Sequence, residues 1–362
     1  MLVATTRATE IDDVAIGGCV TPGSVVVPAA LHLAARADAD AAAVHDAMVV
    51  GYEAMLAFAE AIGGATAIYR GVWPTVIAAP LGVAAVAGRL QGLDDGRMRA
   101  ALALAIGRTG GRLNRNLPRW LSLGQAAADG ALAAEAAAAG FDAPASTLDA
   151  WSEATGIAVS PDGFAAPGRP RLLDVDAKPF PTARQALAAI EAFGRLQADR
   201  PVDEEDRIVI GVPATYRDMV GKTEPPDARM PSLMSAPYQM ALIACAPGAI
   251  DDAVRDSPLA GPAIAAFLRR VTIETDPALD AAFPAAWGGR VRIEPAGGGP
   301  AREATVLLPH GCATQPFGWA DLEEKAMRLG RASGLDLGVV SALRDAVKAD
   351  APAQTLLDLV TR

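Results

Sequence analysis

Ser160-Pro-Asp-Gly-Phe-Ala-Ala-Pro-Gly-Arg-Pro170 divides the chain into two patterns, and that division decides the fold class. Proline and glycine at this density read as loop. Upstream, apolar positions recur at helical spacing. Residues 27–37 and 40–62 read as alanine-rich helices, the second closed by Gly63-Gly64. Residues 75–90 form an apolar helix closed by Gly92. Asp94-Asp95 cap a helix over 96–107, stopped by Gly110-Gly111, and two more follow at 122–139 and 147–155. Downstream, the reading alternates: helix 182–197, strand 207–212, helix 233–246, then strands 270–275, 289–294 and 303–308. From Gly318 the chain is helical again, over 319–331, 337–348 and 352–361. The expectation is a mainly α protein: a helical domain built from 1–170 and 318–362, and a second, α+β domain at 171–317.

A chain of 362 residues is long enough for two domains and a large core. Half its residues are apolar, which fits a globular chain. The bias towards alanine, the best helix former, favours closely packed helices. Their apolar faces are broad, so they must pack on each other or on a second subunit, and a homodimer is expected. The net charge of −10 and the lack of a basic run argue against nucleic acid as a partner. Cys19, Cys245 and Cys312 have no metal spacing and read as free thiols in a reducing cytoplasm, or simply as small buried hydrophobes. No metal site is expected. The apolar stretch 75–88 is shorter than the roughly 20 residues a bilayer needs, and the N-terminus lacks a basic segment followed by an apolar core. A cytoplasmic protein without a membrane partner is expected.

Several short motifs carry more. Glu10-Ile-Asp12-Asp13-Val precedes Thr21-Pro22-Gly23-Ser24; Gly71-Val-Trp73-Pro74-Thr75 opens the apolar helix; Lys178-Pro-Phe-Pro-Thr-Ala-Arg184 follows the loop. Arg119-Trp-Leu-Ser122-Leu-Gly-Gln-Ala-Ala, Ser235-Ala-Pro-Tyr238, Asp276-Pro-Ala-Leu-Asp280 and Trp319-Ala-Asp-Leu-Glu-Glu-Lys325 complete the set. In order and spacing these resemble the MmgE/PrpD family, which includes 2-methylcitrate dehydratase, cis-aconitate decarboxylase and iminodisuccinate epimerase. The resemblance covers about residues 8–350. It implies a helical domain with an α+β insert that acts as a lid. The acidic pair lies so near residue 1 that it also implies a member shortened at its N-terminus. Typical members carry His-Pro-Gly, Gly-x-His-Pro-Thr, Lys-Arg-Leu-His-Pro-Gly and Lys-Pro-Tyr-Pro-x-x-Arg. Here Thr21, Trp73 and Ser122 stand where three histidines usually do, Leu187 where a fourth does, and Arg119 where a lysine does.

The family's reactions are eliminations, decarboxylations or epimerisations next to a carboxylate, run without a metal or organic cofactor. Such chemistry needs a base for a C–H proton, an acid for a leaving group, and cations for the substrate carboxylates. Histidine usually serves, because it titrates near neutral pH. His32 and His45 fall inside alanine-rich helices; only His310, before Gly311, sits in a loop with access to a cleft. Lys178, one of four lysines, is then the best base candidate, if neighbouring arginines lower its pKa. Asp12 and Asp13 read as its acid/base partners or as a solvated helix cap. Arg112, Arg115 and Arg119 share one helical face, as carboxylate clamps or as a solvated basic patch. The resemblance makes Arg119 and Arg184 the clamps. Thr21 and Ser122 offer hydrogen bonds to substrate; Trp73 walls the pocket or packs in the core. Ser235 and Tyr238 open a helix whose N-terminus can receive an anion. Asp12, Asp13, Arg119, Lys178 and Arg184 are expected to converge on one locally positive cleft that takes a small di- or tricarboxylate. The alternative is a catalytically impaired member that holds a carboxylate or serves as a structural subunit.

Overall fold

A computed structural model describes residues 1–109, 119–165 and 167–361. The chain forms two compact units, Met1–Asp176 with Gly338–Arg362, and Ala177–Leu337.

The first unit is helical and is organised around the helix Pro74–Leu90, which is buried from Pro74 to Gly88. Pro74 sits at the first turn, where its missing N–H costs nothing and its fixed φ suits the helix. The helices Gly23–Ala37, Ala41–Ala61, Asp95–Gly107 and Arg119–Ala138 all pack on it. Two of these start on aspartate caps: Asp40 accepts from the Ala43 N–H at 2.8 Å and Asp94 from the Arg97 N–H at 2.9 Å. Contacts are close because the facing residues are small. A Cβ on Gly130 would lie 2.3 Å from the Pro80 carbonyl oxygen; one on Gly51 would lie 2.5 Å from Val86 and 3.1 Å from the Gly82 carbonyl oxygen. Gly124 meets Ala4, on the helix Leu2–Ala8, in the same way at 3.3 Å. A two-residue strand β1 (Val14–Ala15) pairs antiparallel with β2 (Val175–Asp176). Arg171 fixes the preceding loop through Glu60 (2.9 Å), Glu53 (3.6 Å) and the Gly163 carbonyl (2.9 Å). Among the described residues, only Ala41–Ala61 is long and apolar enough to cross a membrane. In this unit it packs on Pro74–Leu90 and carries Glu53 and Glu60 towards Arg171.

The second unit holds a four-stranded mixed sheet in the order β4-β3-β5-β6, formed by β3 (Arg207–Val212), β4 (Val271–Thr275), β5 (Gly289–Glu294) and β6 (Arg302–Val306). β3 runs parallel to β4 and antiparallel to β5, with Ile208 opposite Val271 and Ile210 opposite Val291; β5 and β6 are antiparallel. In β5, Val291 and Ile293 point inward and Arg290 and Arg292 outward, the period of two expected of a half-buried strand. The helix Arg184–Asp199 covers the inner face at β5 and β6. Gly289 is required there, since a Cβ would lie 2.3 Å from the Ala189 backbone nitrogen. The helix Ala236–Cys245 packs on Arg184–Asp199 in turn. On the outer face Arg290 reaches Asp276 (2.6 Å), Glu274 (2.8 Å) and Glu303 (3.1 Å).

The fold is therefore mainly α with an α+β second part, as the periodicities indicate. The sequence reading omits the helices Ala214–Val220, Pro262–Leu268 and Pro277–Ala282 and the β1–β2 pair. Each is too short to show a period. The helix Trp319–Ala332 belongs to the second unit. Gly110 and Gly111, expected to stop a helix that ends at Gly107, lie outside the described residues.

Gly130→Ala tests the close contact. It gains helix propensity of about 1 kcal/mol, yet forces the helices apart at a cost of about 1–3 kcal/mol, so net destabilisation is expected in urea unfolding. Gly194→Ala, inside Arg184–Asp199 with open space around its Cβ, should instead stabilise by about 0.5–1 kcal/mol.

Candidate functional site

In the first unit, the acidic pair splits into two environments. Asp13 accepts two hydrogen bonds of 2.7 Å, from the Gly23 N–H and from the Tyr52 hydroxyl. Only glycine fits at position 23, because a Cβ would lie 2.7 Å from both Asp13 oxygens and from the Tyr52 oxygen. The turn that carries Thr21 is thereby fixed to Asp13. It is also fixed to the start of Pro74–Leu90, since the Thr21 N–H donates to the Thr75 hydroxyl at 3.3 Å. The Ser24 hydroxyl closes the turn onto the Thr21 carbonyl at 2.9 Å.

Asp12 is buried and faces a cation instead. Arg7 lies 3.1 Å from Asp12 and 2.5 Å from Glu10. Arg119 lies 3.7 Å from the other oxygen of Glu10 and stacks over the Trp73 ring at 4.9 Å. An unbroken chain results: Asp12, Arg7, Glu10, Arg119, Trp73. Burial by itself lowers the Arg7 pKa, but the charges of Asp12 and Glu10 outweigh it and leave the guanidinium above its ordinary value. Trp73 thus packs in the core and also floors Arg119, a cation–π contact that needs an aromatic ring. Ser122 is half-buried one turn along the helix from Arg119. Arg112 and Arg115 lie outside the described residues.

Lys178 belongs to the second unit and is 2% exposed. Its ammonium donates to the Thr182 carbonyl at 3.2 Å. The Thr182 hydroxyl and the Ala183 N–H both donate to the Leu233 carbonyl at 3.0 Å, which seats this loop on the helix Arg229–Met234. Arg184, also buried, opens the helix Arg184–Asp199. Ser235 caps Ala236–Cys245, accepting the Tyr238 N–H at 3.0 Å and donating to the Lys222 carbonyl at 2.6 Å. Tyr238 donates to the Leu259 carbonyl at 3.1 Å, and burial raises its pKa. Next to it, Gln239 is fully buried and donates to the Ser232 carbonyl at 2.9 Å.

The histidines take no part in either cluster. His32 and His45 are exposed. His310 is exposed as well, its backbone N–H bound to Glu191 and its ring edge against Phe317. Leu187 is plain core. Sequence reasoning missed three participants: Arg7, Glu10 as an ion-pair partner, and Tyr52. Only Glu10 carried a signal, by heading the acidic motif. Grooves of about 440 Å³ (beside Leu2, His32 and Leu132) and about 830 Å³ (beside Ile106, Phe141 and Leu148) lie in the first unit, but Asp12, Asp13, Thr21, Trp73, Arg119 and Ser122 line neither.

The Tyr52–Asp13 bond has a pH signature. Burial first, then the Asp13 charge and hydrogen bond, push the Tyr52 pKa well above its usual 10.0. Above pH 10 the unfolded chain loses this proton while the folded chain keeps it. Stability present below pH 10 is therefore lost as pH rises, at up to about 1.4 kcal/mol per pH unit. Tyr52→Phe should unfold earlier in urea at pH 8 and show a shallower loss of stability between pH 10 and 11. An unchanged alkaline slope would rule the bond out.

Residues 2–160 match the MmgE/PrpD N-terminal domain, and residues 180–335 match the MmgE/PrpD C-terminal domain. A comparison with curated proteins finds no match. Both family domains are present in order and together span nearly all of the chain, so this protein belongs to the MmgE/PrpD family.

Proposed function

We propose that the chain is a cofactor-independent enzyme, an isomerase or a dehydratase-type lyase, acting next to a carboxylate of a small di- or tricarboxylic acid. Family membership supports the coarser part, an enzyme of the dehydratase/lyase type acting on a carboxylate. The observation that carries the finer part is the burial of Lys178 and Arg184, at 2% and 3% exposure, six residues apart. A lysine and an arginine at the two ends of one family motif are the basic and cationic groups such a reaction needs. In this reading Lys178 removes the C–H proton, Asp12 and Asp13 serve as acid/base groups, and Arg184 receives a carboxylate, the role the motif by itself also gives Arg119. Thr21, Trp73 and Ser122 of the first unit and Ser235 and Tyr238 of the second supply further substrate contacts. Proton abstraction and return needs less machinery than expelling hydroxide, which needs a strong acid. The absence of histidine from both clusters therefore favours an epimerase or isomerase.

One observation favours a second reading. The Asp13 oxygens and the Ser235 hydroxyl are already engaged in holding turns and a helix start. A carboxylate-binding or structural subunit would need no more than that. We further propose a homodimer: Leu121, Leu132 and Phe141 of the first unit are more than half exposed. Light scattering at micromolar concentration should give twice the chain mass; a monomer would remove this proposal.

Turnover should depend on Lys178 more than on any histidine. With a panel of C4–C7 carboxylic acids in deuterated water, NMR should show deuterium entering the carbon next to a carboxylate. Lys178→Met should abolish this exchange, whereas His310→Ala should leave it within about twofold, since His310 touches neither cluster. Binding of an acid without exchange by the wild-type protein would favour the second reading.

A further inference from the structure

Glu10 is held in an unusual way. Its φ is +57°, a left-handed conformation that costs a residue with a Cβ about 1 kcal/mol or more. Its side chain is only 8% exposed, yet it is charged and lies between two arginines, 2.5 Å from Arg7 and 3.7 Å from Arg119. Arg7 is paired with Asp12 as well, 3.1 Å away. Glu10 also places a carboxylate beside Arg119. That arginine is otherwise set up to receive one: its side chain is 18% exposed and its guanidinium is oriented by the Trp73 ring.

We propose that Glu10 occupies, from within the chain, an anion position between Arg7 and Arg119, and that it is a specificity-determining residue. A tethered carboxylate competes with any free one at high effective concentration, and its charge repels a second. Arg119 is then no clamp for a substrate carboxylate in the wild-type protein. If the enzymatic reading holds, on which this consequence rests, the substrate is an acid whose end at Arg119 is neutral. The sequence motif alone assigns Arg119 the opposite task.

The test replaces the tethered carboxylate with a free one. Glu10→Gly removes the side chain and relaxes the left-handed backbone. Propionate, over 1–100 mM, should raise the Tm of Glu10→Gly by several degrees. It should not do so for the wild-type protein or for Glu10→Gly combined with Arg119→Met. The isosteric Glu10→Gln covers the case in which the glycine variant fails to fold. In calorimetry it should shift the preference between succinate and butyrate towards succinate by about tenfold or more. Rescue that depends on Arg119 supports the inference even where no acid is turned over, and in that case the enzymatic reading alone fails. The inference falls if propionate leaves a folded Glu10→Gly unchanged, if the effect survives loss of Arg119, or if Glu10→Gln keeps the wild-type preference.

Discussion

Close helix packing around Pro74–Leu90 is the constraint on which the first unit depends. Gly51 against Gly82, and Gly130 against Pro80, bring backbones nearer than larger side chains allow. Each close contact also places a residue of the candidate site. Tyr52 follows Gly51 and so reaches Asp13. Trp73 and Thr75 flank the start of the central helix. Arg119 opens the helix that Gly130 seats on Pro80, and Gly124 fits that helix to the one bearing Arg7. Alanine-rich helices bury little area per residue, so their stability rests on the density of contacts. The same density holds the charged groups between 2.5 and 3.7 Å from their partners.

Those charged groups use the rigidity. Buried ions are costly unless paired and hydrogen-bonded, and breaking one partner leaves a charge uncompensated. Asp12, Arg7, Glu10 and Arg119 meet that demand by alternating in sign along one chain of contacts. Asp13 meets it with two neutral donors. The adjacent aspartates therefore have different nearest partners: Asp12 lies against Arg7, and Asp13 anchors a turn. Neither resembles a solvated helix cap. In the second unit, Lys178 sits on a loop seated by Thr182 and Ala183 on the Leu233 carbonyl.

Three positions where the family usually has histidine are occupied here by residues in different surroundings. Thr21 belongs to a fixed turn, Trp73 supports an arginine, and Ser122 lies half-buried on a helix. An alcohol or an indole cannot move a proton near neutral pH as imidazole does.

The sequence by itself determined the order and type of the long elements. Periods of 3.6 and 2 are properties of local sequence, and proline, glycine and aspartate mark the ends where backbone groups need caps. It also determined the family, because the motifs keep their order and spacing. It did not determine what the charged residues do. Arg119 reads as a free clamp from its motif, but Glu10, 109 positions earlier, lies beside it in the folded unit. Asp12 and Asp13 read as one pair, and only the tertiary structure gives them Arg7 and Tyr52 as separate partners. Short helices and the β1–β2 pair escaped for a related reason: a few residues carry no period, and distant contacts decide their conformation. Ionic and hydrogen-bonding roles depend on distances of a few ångströms between residues far apart in sequence, and in this protein chain folding alone sets those distances.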